Sequence, residues 1–236
     1  MTVFDLANPG ASNQTLGFVD GNFNRGMDFD SPTSFYYYVS TDSLNDPGDR
    51  GLWYFNGDVN TQLATTGFND SGDGDASLSA DGSTFFVSTD DGDATAGDSI
   101  YAFTNLGGTP VFNELFETGL SQIIGLAVHP VSGVMYAYDS STEGLYTIDP
   151  FDGIVTLVGL SGLNLGAIGG MDFNADGSVL LLAQSNDLYT VDIFEGTLTA
   201  AGDVGVNVSA LSYRVPAPGT LALLGLAGLG VSRRRR

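Results

Sequence analysis

The chain has 236 residues, room for one medium-sized domain or one repeat array with a hydrophobic core. Its formal charge is −21, and all 28 acidic residues lie in residues 1–215 against three arginines (Arg25, Arg50, Arg214), so this body is net about −25 and excludes nucleic acid and anionic membrane as partners of its surface. Cysteine is absent, which rules out disulfides and thiolate metal sites, and a single histidine, His129, rules out a histidine-rich zinc or iron centre.

The chain opens Met1-Thr-Val-Phe-Asp-Leu-Ala-Asn-Pro-Gly10, without the basic, apolar and small-residue segments of an export leader. This reads as folded domain, with a signal and a further strand expected upstream. From there two elements recur. The first is a short apolar strand: Gly26-Met-Asp-Phe-Asp30, Asp75-Ala-Ser-Leu-Ser79, Gly125-Leu-Ala-Val-His129, Gly170-Met-Asp-Phe-Asn174 and Ser209-Ala-Leu-Ser-Tyr213. Three copies run into tight turns, at Asp81-Gly82, Pro130 to Gly133 and Asp176-Gly177, and then into a second apolar strand. Asp-Gly supplies the positive φ that a short hairpin turn demands, so each unit predicts a hairpin.

The second element is Leu145-Tyr-Thr-Ile-Asp-Pro-Phe-Asp-Gly153, repeated as Leu188-Tyr-Thr-Val-Asp-Ile-Phe-Glu-Gly196 and more loosely at Leu52, at Ile100 and near the N-terminus. Taking Phe4, Phe55, Phe103, Ile148 and Val191 as equivalent gives spacings of 51, 48, 45 and 43 residues, the period of a four-stranded blade. No amphipathic helix is expected before residue 216. The repeats resemble β-propellers of the YVTN and NHL-like kind. The fold expected over residues 1–214 is therefore all-β, a propeller of about five four-stranded blades. The last blade would be shared between Ser209–Tyr213 and the N-terminal strands.

Catalytic residue types are scarce. With neither Cys nor Lys, nucleophiles and bases reduce to Ser, Thr and carboxylates, and His129 reads as a turn residue. No glycine-rich phosphate loop opens a helix. Two acidic runs place carboxylates at short intervals with glycine between them, which would let oxygens converge on a hard cation. They make Asp70, Asp73, Asp75, Asp91 and Asp93 calcium candidates, with plain solvated turns as the alternative and no other cofactor expected. The aromatic runs Phe35-Tyr-Tyr-Tyr38, Trp53-Tyr-Phe55 and Phe85-Phe86 read as core packing between blades in preference to sugar-stacking platforms.

The last segment is tripartite: Val215-Pro216-Ala217-Pro218, an apolar run over residues 219–232, and Arg233-Arg234-Arg235-Arg236. As a helix the apolar run would reach only about 21 Å against a hydrocarbon core of roughly 30 Å. The arginines would stay on the cytoplasmic side and leave the body facing outward. This tail resembles a PEP-CTERM sorting signal, with Ala217 standing where the family's motif carries glutamate. The resemblance implies an exosortase-type membrane enzyme as partner, transient membrane contact through residues 219–232, and an exported protein of the envelope or extracellular matrix of a Gram-negative-type bacterium. Together these features predict a non-enzymatic interaction or structural module that meets polysaccharide or envelope proteins. The alternative is a calcium-assisted hydrolase or lactonase, for which Asp28 and Asp172 would have to converge at the propeller axis.

Overall fold

Alternating apolar and polar side chains, interrupted by glycine turns, divide the chain into short antiparallel strands. A computed structural model describes residues 2–3, 14–15, 23–30, 34–41, 50–66, 74–89, 97–166 and 168–213, and no helix occurs among them. After β1 (Thr2–Val3) and β2 (Gln14–Thr15) come four blades in succession. The first contains β3 (Phe23–Phe29), β4 (Phe35–Thr41), β5 (Gly51–Phe55) and β6 (Asn60–Thr65). The second contains β7 (Ala76–Leu78), β8 (Phe85–Thr89), β9 (Ser99–Thr104) and β10 (Val111–Glu117), and the third β11 (Ile123–Val128), β12 (Met135–Asp139), β13 (Gly144–Ile148) and β14 (Val155–Leu160). The fourth has three elements, β15 (Gly169–Phe173), β16 (Leu180–Val191) and β17 (Leu198–Val208). Within each sheet the strands follow chain order and pair antiparallel.

In the fourth blade β16 fills two positions: Leu180–Gln184 pair with β15, and the pairing with β17 begins at Ser185, whose φ of 55 marks the switch, and runs to Val191. The third blade spends Ser140 to Glu143 on the corresponding connection, which the fourth shortens.

Among the described residues the number of blades is therefore four, where the repeat spacing suggests five, and the segments expected to share the fifth form no common sheet. β1 and β2 pair with each other, and Ser209–Tyr213 runs beside the inner strands with no ladder among the described residues. A strand needs a neighbour's backbone to satisfy its N–H and C=O groups; here side chains of the flanking blades serve instead, as described below.

The turns explain the repeats. After three of the four inner strands the next residue accepts N–H groups of its turn: Ser79 Oγ from Ser83 and Thr84, His129 Nδ1 from Val131 and Ser132, and Asn174 Oδ1 from Val179; in the first blade Asp30 accepts the Ser34 hydroxyl instead. His129 is thus a turn residue, and its ring also packs on Phe173 at 4.9 Å. The recurrent Asp in Leu-Tyr-Thr-Ile-Asp works the same way at the outer hairpins, Asp149 accepting from Phe151 N and Asp192 from Phe194 N and Glu195 N.

Apolar clusters fill the space between blades. Tyr38 and Leu52 of the first blade meet Leu78, Phe85 and Phe103 of the second; Ile124, Tyr136 and Tyr138 of the third meet Met171, Phe173 and Leu182 of the fourth. Phe35, Tyr37, Tyr38, Phe85 and Phe86 are buried, whereas Tyr36, Trp53, Tyr54 and Phe55 are half-buried, and Phe35 and Tyr37 cluster with Trp53 and Phe55 on the first blade itself and not between blades.

Candidate functional site

Aligned by their contacts, with the last segment counted from Ala210 and not Ser209, the five inner segments carry Asp28, Ser77, Ala127, Asp172 and Ser212 at their third position. Four of these side chains accept the backbone N–H of the fourth position in the next segment. Leu78 N donates to Asp28 Oδ2 at 2.8 Å, Val128 N to Ser77 Oγ at 3.1 Å, Tyr213 N to Asp172 Oδ2, and Phe29 N to Ser212 Oγ at 3.3 Å. Ala127 has no acceptor, and Phe173 N turns instead to Asp172 Oδ1 at 2.7 Å. Ser212–Tyr213 thus closes a directional ring of bonds from the fourth blade back to the first, and Ser212 Oγ also donates to Asp28 Oδ1 at 3.0 Å.

The first position shows a second pattern. Gly26, Gly125 and Gly170 stand there because the next segment passes against them: a Cβ on Gly26 would lie 2.1 Å from Ala76 N, and one on Gly170 2.3 Å from Leu211 N. The second blade departs from this with Asp75. Its carboxylate is fully buried, and its Oδ2 accepts both Leu126 N at 2.9 Å and Met171 N at 2.8 Å, tying the third and fourth blades to the second. Its Oδ1 is buried without a hydrogen-bond partner.

Asp28, Asp75 and Asp172 therefore converge, and each is raised from the ordinary carboxylate value, Asp75 and Asp172 well above it. Burial is the main cause for all three. For Asp75 the Leu126 and Met171 N–H groups pull the other way and the Asp28 charge adds to the rise, and for Asp172 the Asp28 charge is the second cause. A proton on Asp75 belongs on Oδ1, since Oδ2 already faces two donors.

A calcium ion fits this cluster poorly. It needs six to eight oxygens at roughly 2.3–2.6 Å, while five of the six carboxylate oxygens here already accept hydrogen bonds. Among the described residues no three acidic or histidine side chains are placed to hold a metal ion. Asp75, expected in a calcium loop, lies in the interior, where its Oδ2 faces two amides. Asp70, Asp73, Asp91 and Asp93 lie outside the described residues. So do Val215 to Pro218, the run 219–232 and Arg233 to Arg236.

Sequence reasoning singled out Asp28 and Asp172 but missed Ser77 and Ser212 as ring members and Asp75 as a tie between three blades. The signal for the two serines lies in the third position of the inner segments once the last is counted from Ala210, one residue later than the repeat suggests. Ser212→Ala should test the closure: loss of the acceptor for Phe29 N and the donor to Asp28 should lower stability by about 1–3 kcal/mol. The readout is the denaturation midpoint, with faster amide exchange at Phe29. Unchanged exchange there would remove the closing role.

Residues 214–236 match the PEP-CTERM protein-sorting motif. No curated protein matches the chain in sequence. Among solved structures, similar folds occur in a chain of the nidogen–laminin complex, at 17% identity and TM-score 0.59, covering 85% of this chain and 72% of that one. They occur also in regucalcin, a calcium-binding protein of Agrobacterium tumefaciens, at 15% identity and TM-score 0.57, covering 91% and 77%. A third is a gluconolactonase of Xanthomonas campestris, at 14% identity and TM-score 0.54, covering 80% of this chain and 64% of that one, so the chain spans under two thirds of it. At such identities the likeness concerns the fold alone. The chain is a β-propeller that carries a PEP-CTERM protein-sorting motif at residues 214–236.

Proposed function

We propose that this chain is a non-enzymatic propeller module that acts by binding, at the cell surface or in the extracellular matrix, after an exosortase-type enzyme has sorted it there. The sorting motif indicates export and recognition by that membrane enzyme. The observation that carries the non-enzymatic reading is the state of the axial carboxylates. Asp28, Asp75 and Asp172 are engaged by backbone N–H groups of neighbouring blades, so they serve closure and leave little to offer a substrate. The net charge of the body suits soluble display and favours neutral or cationic partners, such as polysaccharide or basic envelope proteins.

A second reading keeps one specific support. Asp28 and Asp172 do meet at the axis, and gluconolactonases and a calcium-binding protein occur among the similar propellers. A calcium-assisted lactonase would then require the axial carboxylates to exchange amides for metal.

Deleting residues 215–236 separates the export reading from its rivals. We expect the truncated chain to lose envelope retention while its melting temperature stays unchanged, measured by cell fractionation and thermal denaturation. Unaltered fractionation would overturn the sorting role. Calcium-dependent lactone hydrolysis by the full chain, lost in Asp28→Asn and Asp172→Asn, would replace the binding module with the enzyme.

A further inference from the structure

The three most exposed large apolar side chains among the described residues are Phe151 at 95%, Phe194 at 84% and Val131 at 76%. They are not scattered. Val131 sits in the turn between β11 and β12, and Phe151 in the turn between β13 and β14. The pairs Val128↔Met135, Met135↔Ile148 and Ile148↔Val155 place both turns at one end of the third blade. Phe194 occupies the same place as Phe151 in the fourth blade, after Val191, which packs with Phe173 and Leu180 at the corresponding end. Three apolar tips on one end of a propeller are unlike the isolated exposed side chains common on any surface.

The sorting segment leaves from this same end. Ala210 and Leu211 lie against Gly170, Ser212 is level with Phe29, and Tyr213 N reaches Asp172, so the segment runs parallel to β15 toward its turn. Tyr213 is thus held at the axis beside the turns, and the sorting motif starts at the next residue. From Tyr213 to the start of the apolar run at Gly219 the chain reaches at most about 20 Å. Whatever engages the sorting motif must therefore approach this end of the body.

The turns at this end are also acidic. Asp81, Asp152, Asp176 and Glu195 are exposed there, and Asp81 and Asp176 are held ionised by the serines beside them, Asp81 down to about 2. Anionic lipid is repelled by such a surface, whereas apolar tips set among carboxylates complement a protein surface with basic side chains around apolar pockets.

We propose that the turn end bearing Val131, Phe151 and Phe194 is a docking surface for the outward face of the sorting enzyme, so that the folded body contributes to recognition beside the tail. This rests on the export reading above. The enzyme's docking face is basic and apolar, and it binds the body while it engages residues 214–236.

The test follows processing of the full chain in cells that contain the sorting system. Phe151→Ser with Phe194→Ser should slow processing by roughly tenfold, as removal of central anchors does at protein interfaces. Asp152→Lys with Glu195→Lys should slow it in the same direction. Leu163→Ser with Ile168→Ser, exposed apolar positions in the connection between β14 and β15, should leave it unchanged, and all variants should melt with the wild type. Equal processing of turn variants and wild type overturns the docking surface, as does equal slowing by the Leu163 and Ile168 changes. A turn variant that is processed normally but floats less with phosphatidylglycerol vesicles overturns it in favour of lipid. Failure of the wild type to be processed at all overturns the export reading beneath it, a result distinct from the others.

Discussion

Asp75→Ala should lower the unfolding free energy by about 2–5 kcal/mol, because it leaves Leu126 N and Met171 N buried without their acceptor. The same residue sets a pH dependence that asparagine should remove. Folded Asp75 and Asp172 hold their protons at pH values where the unfolded chain, with aspartates near 3.9, has released them. Unfolding therefore releases protons, so the stability they contribute is complete below the unfolded value and is lost as pH rises through the raised folded values. Asp81, held down to about 2 by Ser79 and Ser83, acts in the opposite sense, and its contribution is lost only as pH falls below about 4. Asp75→Asn keeps an oxygen for the two amides and abolishes one of the raised titrations. Urea midpoints measured from pH 4 to pH 8 should fall for the wild type and fall less steeply for Asp75→Asn. Parallel curves would show that the Asp75 charge plays no part.

Gly26→Ala and Gly170→Ala should each cost about 3 kcal/mol or more, since the added Cβ would strike backbone atoms of the next segment, which move only with their strand or with the ring closure. Gly82 is the control. An added Cβ there meets nothing within 4 Å, so Gly82→Ala should cost only the left-handed backbone, about 1–2 kcal/mol. Denaturation midpoints ranking Gly82→Ala below the other two would overturn the inter-blade packing of Gly26 and Gly170.

Much of this architecture is legible in the residues. Asp-Gly and Asp-x-x-x-Gly report the turns because their chemistry is local: a side-chain acceptor at one position and a positive φ a few residues on. The tail is legible for a similar reason, its order of prolines, apolar run and arginines being contiguous. Asp75 was misread because its neighbours in sequence are acidic, whereas its neighbours in space are two amides some 50 and 96 residues away. Nothing local distinguishes a carboxylate aimed at solvent from one aimed at an axis. The blade count erred for a related reason. Periodicity identifies Ser209–Tyr213 as an inner segment, which its contacts support, but whether a segment gains a ladder depends on which strand lies beside it.

Among the described residues, Ser212 and Tyr213 are the last that the closing bonds use, and the sorting motif begins immediately after them. The bonds that join the fourth blade to the first are therefore made by residues outside that motif, and a chain cut after Tyr213 would carry every one of them.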